Sequence, residues 1–118
     1  MMWKKVCKYL LTVMLLVVLL LCIPTTEVSA ATGGAVTDTI TWELNESTGV
    51  LTISGTGDMP DYNMYHNGPP FRELQNQVKH LVVEEGITSI GVFTFFDFRS
   101  LETVDLADSI KKIDRLAF

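Results

Sequence analysis

Beyond residue 30 the chain contains no cysteine, because Cys7 and Cys22 both lie within the first thirty residues. That remainder can form no disulfide, no thiol nucleophile and no cysteine-zinc site, so its stability must come from packing. Positive charge is equally scarce. From Ala31 onward six basic side chains stand against thirteen acidic ones, a formal net charge of −7. Nucleic-acid phosphates demand a basic face, so this balance argues against nucleic acid and against an anionic membrane surface as the main partner. Histidine is limited to His66 and His80. Neither sits in a pattern of catalytic or metal-ligating neighbours.

The one long apolar run is Leu10 to Ile23, "LLTVMLLVVLLLCI", broken only by Thr12. Lys4, Lys5 and Lys8 precede it, Pro24 ends it, and Val28-Ser29-Ala30 places small residues at a cleavage site. This order is that of a secretory signal peptide over residues 1–30, with cleavage expected after Ala30 and an extracellular or cell-surface product. Fourteen apolar residues fall short of the ~20 that cross a bilayer as a helix, so membrane contact is expected only through this segment if it stays uncleaved. Leu21 before Cys22 is too large for lipid attachment there.

Residues 31–38, "ATGGAVTD", are small and polar and read as a flexible leader. Residues 39–72 form an N-terminal hairpin region. Ile40, Trp42 and Leu44 alternate on one face, Leu51 and Ile53 on another, and "NESTG" links the two runs, which is the pattern of a β-hairpin. An isolated two-stranded unit is marginal in water, so the hairpin must lie against something else. A Pro, Gly and Asn-dense loop, "DMPDYNMYHNGPP", then leads into residues 73–118.

That last region contains an internal repeat. An offset of 23 residues places Val78 on Leu101, Leu81 on Val104, Val83 on Leu106, Ile87 on Ile110, Ile90 on Ile113 and Phe95 on Phe118. Each unit reads L-x-x-L-x-L, then a turn, then I-x-x-I. A period of 20 to 29 residues with one short strand per unit is the mark of a leucine-rich repeat, whose apolar side only a neighbouring unit can cover. The expected fold class is mostly β with short turns and helical bends: an N-terminal β-hairpin cap followed by an incomplete leucine-rich repeat solenoid.

No catalytic constellation is present. Glu84 and Glu85 are adjacent and point to opposite sides if they lie in a strand, so they cannot share a substrate. Gly55-Thr56-Gly57 lacks the Lys-Ser/Thr of a phosphate loop and the third glycine of a dinucleotide site. Asp58 and Asp61 carry oxygen ligands but not the spacing of a calcium loop. Asn45-Glu46-Ser47 fits a glycosylation triplet, yet it falls in the hairpin turn, where Asn serves local hydrogen bonding. The expectation is a chain with no enzymatic activity, no cofactor and no metal.

Strand alternation points His80, Val82 and Glu84 outward from one unit and Thr103, Asp105 and Ala107 from the next. At an offset of 23 these make three neighbouring pairs on the strand face through which such repeats bind partners. The six residues are the candidate binding patch.

These motifs resemble the BspA-like leucine-rich repeat proteins of bacterial cell surfaces. In "ITSIGVFTFFDFRSLETVDLADSIKKIDRLAF", Ile87, Ile90, Gly91, Phe95, Leu101, Val104, Leu106, Ser109, Ile110, Ile113, Ala117 and Phe118 match that family's repeat. "TWELNESTGVLTISGTGDMPDY" is similar to the segment that often precedes it, through Trp42, Leu44, Gly49, Leu51, Ile53, Gly55, Gly57, Met59, Asp61 and Tyr62. The chain departs from the family at Phe98 (usually Cys), Thr94 (Ala), Asp114 (Gly) and Ala107 (often Pro), and Phe71 takes the place of an anchoring Trp. The resemblance implies a secreted or cell-surface module that binds an unknown protein of a host or neighbouring cell. Two other roles stay open: an accessory domain of a larger extracellular enzyme, and a structural cap or stalk without its own ligand. Because the repeat pattern stops at "RLAF", the chain is expected to be a fragment of a longer protein.

The repeat also divides the run "FTFFDF". Phe95 and Phe98 are expected in the interior and Phe93 half-buried on the convex side, while Phe96 has no counterpart.

Overall fold

A computed structural model describes residues 31–118, and the signal peptide expected over residues 1–30 lies outside the described residues. Strands dominate: β1 (Ala31–Ala35), β2 (Ile40–Asn45), β3 (Val50–Gly55), β4 (Gly57–Asp58), β5 (His80–Val83), β6 (Ile87–Ile90), β7 (Thr103–Leu106) and β8 (Lys112–Ile113). One 3-10 helix, Arg72–Gln77, interrupts them.

Strands β2 and β3 form the expected hairpin in antiparallel register, with Trp42 opposite Ile53 and Leu44 opposite Leu51. Directly opposed residues share a face, so the two alternations form one apolar face rather than two. Ile40, Trp42, Leu44, Leu51 and Ile53 are all buried there. The turn is closed by Asn45, whose Oδ1 accepts hydrogen bonds from the Ser47 and Thr48 amides at 3.1 and 3.2 Å and from the Ser47 hydroxyl at 2.8 Å.

Residues 31–38 differ from the expected flexible leader. Ala31–Ala35 pairs antiparallel with β2 along five residues, although all five are exposed. No apolar alternation announces such a strand, because backbone pairing rather than side-chain burial holds it. Its glycines permit the approach: a Cβ on Gly33 would stand 2.6 Å from the Trp42 carbonyl oxygen, and one on Gly34 would stand 3.3 Å from the Trp42 indole nitrogen.

The hairpin is not a separate cap. β3 pairs in parallel with β5, Leu51 beside Leu81 and Ile53 beside Val83, and β5 pairs in parallel with β7 in the same manner. The result is a five-stranded sheet in the order β1-β2-β3-β5-β7, alongside a three-stranded sheet in the order β4-β6-β8. Each pair β3/β4, β5/β6 and β7/β8 thus contributes one rung to both sheets. Leu51 to Leu81 is a step of 30 residues, and Leu81 to Val104 a step of 23. The loop and 3-10 helix between β4 and β5 lengthen the first step.

Between the sheets lies a continuous apolar core. Phe71, fully buried at the mouth of the 3-10 helix, stacks on Phe95 at 5.6 Å and meets Trp42 and Phe98 edge-on at 5.8 and 6.0 Å. Phe95 in turn stacks on Phe118 at 5.4 Å. Burying each such ring contributes about 1.5–3 kcal/mol. The run "FTFFDF" divides as its register suggests: Phe95 and Phe98 are buried, while Phe93 and Phe96 are half-buried and meet edge-on at 5.2 Å. Phe93 (φ 58°) and Leu116 (φ 55°) repeat the same left-handed backbone one unit apart.

Candidate binding face

The face begins with alternation. In β5 the side chains of Leu81 and Val83 are buried in the core and in β7 Leu106 packs against it, so the residues that alternate with them project outward. The structure sets two of the three expected pairs in register, His80 with Thr103 and Val82 with Asp105. His80 Nδ1 lies 2.7 Å from the Thr103 hydroxyl, and Val82 lies in register with Asp105. Glu84 and Ala107 sit one residue past their strands and extend the ladder, with the Glu84 amide donating to Ile53 at 3.0 Å and the Ala107 amide donating to Val83 at 3.0 Å.

This face is wider than those six residues. Because β3 is a rung of the same ladder, the outward rows cross all five strands: Ala31, Asn45, Val50, His80, Thr103 in one; Gly33, Glu43, Thr52, Val82, Asp105 in the next. A third row runs through Ala35, Thr41 and Ser54 to Glu84, whose carboxylate accepts the Ser54 hydroxyl at 2.9 Å. Over the first three strands the surface dips into an open groove of about 580 Å³, lined by Gly33, Gly34, Thr41, Trp42, Glu43, Thr52, Ser54 and Glu84. Reading the sequence at an offset of 23 missed this half. The available signal was the L-x-I of Leu51-Thr52-Ile53, which matches L-x-V at Leu81 only at an offset of 30.

Three acidic side chains occupy the face: Glu43 on β2, Glu84 after β5 and Asp105 on β7. The six basic residues beyond residue 30, Arg72, Lys79, Arg99, Lys111, Lys112 and Arg115, are absent from its rows. Among the described residues the ion pairs lie elsewhere, between Arg99 and Asp97 at 2.6 Å and between Lys112 and Asp114 at 3.1 Å.

The other singled-out residues serve the fold. Glu84 and Glu85 diverge, Glu85 accepting the Asp108 amide at 2.9 Å on the next rung. Asp58 accepts the Thr88 hydroxyl at 2.6 Å, and Asp61 accepts the Val92 amide at 2.9 Å. Hydrogen bonds from Thr88 and then Ser89 hold the Asp58 carboxyl below its ordinary value of 3.8. The Lys112 ammonium is pushed up, chiefly by its bond to Asp114. These groups line a second open groove of about 480 Å³ on the β4-β6-β8 side. Asn45 spends its side-chain carbonyl on the hairpin turn. His66 is exposed in the loop after β4, beside Tyr65.

A solved protein from Eubacterium ventriosum superposes with a TM-score of 0.66 at 37% sequence identity, over 71% of this chain. It is a leucine-rich repeat protein. That likeness supports a bacterial protein of the leucine-rich repeat type, mostly sheet with little helix. The match spans 22% of the neighbour's length. No protein-family model and no curated protein matches the chain.

Proposed function

We propose that the chain is a non-enzymatic protein-binding module of the BspA-like kind, secreted to the bacterial surface, where it acts in adhesion. The rungs are the start of a solenoid, and the outer face of the five-stranded sheet is its contact surface. One observation carries this reading: two rows of outward residues cross all five strands and a third reaches from Ala35 to Glu84, and none of these residues, His80, Val82, Glu84, Thr103 and Asp105 among them, belongs to the core. The last rung supports the same architecture. Val104, Ile113, Leu116 and Phe118 on it are 43%, 50%, 50% and 44% exposed, yet Val104 and Ile113 keep the register of Leu81 and Ile90.

Selection of a displayed library of 16-residue peptides against the purified protein tests the reading. Binders should lose at least tenfold in affinity on Val82→Trp, which fills the middle of the face, and keep their affinity on Glu73→Gln in the 3-10 helix. An absence of saturable binders, or binders indifferent to Val82→Trp, contradicts it.

A further inference from the structure

The outer face carries information about its occupant. At about 4.8 Å between strands and 3.3 Å per residue, the five-strand face measures roughly 19 by 13 Å, or about 250 Å². A globular partner in a stable complex covers about 800 Å² on each side. The face alone therefore suits a short extended segment.

Charge narrows the chemistry. Glu43 and Asp105 stand in one row, three strand spacings or about 14 Å apart. Glu84 lies one row away, just past β5, held by the Ser54 hydroxyl. Thr52 and Val82 form the floor between Glu43 and Asp105, and both are half-buried. In an extended peptide, residues i and i+4 are about 13 Å apart and point to the same side. A segment laid across the strands with cations at i and i+4 thus reaches both carboxylates, while the alkyl stem of a cation at i+2 crosses Val82 toward Glu84.

We infer that the outer face of the β1-β2-β3-β5-β7 sheet docks an extended segment of a partner protein bearing lysine or arginine at alternate positions. The inference deepens the binding-face reading and rests on it. Electrostatic complementarity of this kind sets specificity and encounter rate and weakens with salt.

The test uses fluorescence anisotropy of labelled (Lys-Thr)4, (Ser-Thr)4 and (Glu-Thr)4 peptides with the purified protein. The expected result is saturable one-to-one binding of the lysine peptide alone, weakened at least fivefold between 50 and 300 mM salt. Glu43→Gln combined with Asp105→Asn should weaken it at least tenfold. Asp38→Asn combined with Glu73→Gln, which removes the same charge elsewhere, should change it less than twofold. Circular dichroism of each variant checks that the fold is kept. No saturable binding of the lysine peptide, or equal losses in the two double variants, overturns the inference. Equal binding of (Ser-Thr)4 that disappears on Val82→Trp overturns the charge assignment while leaving the binding face standing. If library selection finds no binder at the face, both readings fall.

Discussion

Truncation of the aromatic column should cost progressively less from Phe71 to Phe118. Phe71 is fully buried and touches the rings of Trp42, Phe95 and Phe98, so Phe71→Ala removes a ring from a site walled on several sides. Such a change in a core that cannot collapse costs about 3–5 kcal/mol. Phe118 is 44% exposed and its ring meets Phe95. Losing half the burial of one ring and one stacked pair amounts to about 1–2 kcal/mol. A domain of this size has a total stability of about 4–13 kcal/mol, so the first variant approaches unfolding and the second does not. Urea titration followed by tryptophan fluorescence reads both, because Trp42 is the sole tryptophan beyond residue 30 and packs on Phe71. Equal losses for Phe71→Ala and Phe118→Ala would refute the gradient and with it the placement of Phe71 at the core's centre.

Two further outcomes follow from close contacts between rungs. Gly91→Ala should destabilise by about 1–3 kcal/mol in the same titration, since a Cβ there would stand 2.2 Å from the Pro60 carbonyl oxygen; Asp114→Ala, at the matching place one unit later, should cost less than half as much. The depressed Asp58 carboxyl contributes stability that is present above its ordinary value of 3.8 and is lost as pH falls through its lower folded value. An NMR titration of Asp58 should therefore give a midpoint below 3.8 that rises on Thr88→Val, and an unmoved midpoint would assign the shift to another cause.

The second half of the molecule was legible because its two units share one length. Leu81 with Val104 and Ile90 with Ile113 are register partners in the ladders at the offset of 23 seen in the sequence. Further links repeat at the same spacing, as where the Ser109 hydroxyl accepts the Gly86 amide at 3.1 Å. The third rung was hidden by the longer step from β3 to β5, in which the loop and 3-10 helix add seven residues and break the period. Strand β1 was hidden for a different reason. Its exposed "ATGGA" buries no side chain, so only the geometry of glycine against Trp42 reveals it.

The departures at Thr94 and Asp114 also have local explanations. Thr94 is fully buried but satisfies its hydroxyl on the Gly91 carbonyl at 2.8 Å, which makes it tolerable where the next unit has Ala117. The Asp114 carboxylate pairs with Lys112 at 3.1 Å. The wider binding face depended on recognising β3 as a rung. For that reason the strand-face patch was visible as six residues in and just past β5 and β7, while Glu43, Thr52 and Ser54 were not.

That junction is also where the account is most exposed. In a Cys7→Ser, Cys22→Ser background, Thr52→Cys with Val82→Cys places two thiols in register on adjacent parallel strands, a Cα separation that suits a disulfide. Mild oxidation should cross-link this pair quantitatively, and likewise Val82→Cys with Asp105→Cys on the next rung. Thr52→Cys paired with Val83→Cys, whose side chains point to opposite faces, should remain reduced. Failure of the Thr52–Val82 pair to link, with linkage at Val83 instead, would contradict the shared ladder and the five-strand face built on it.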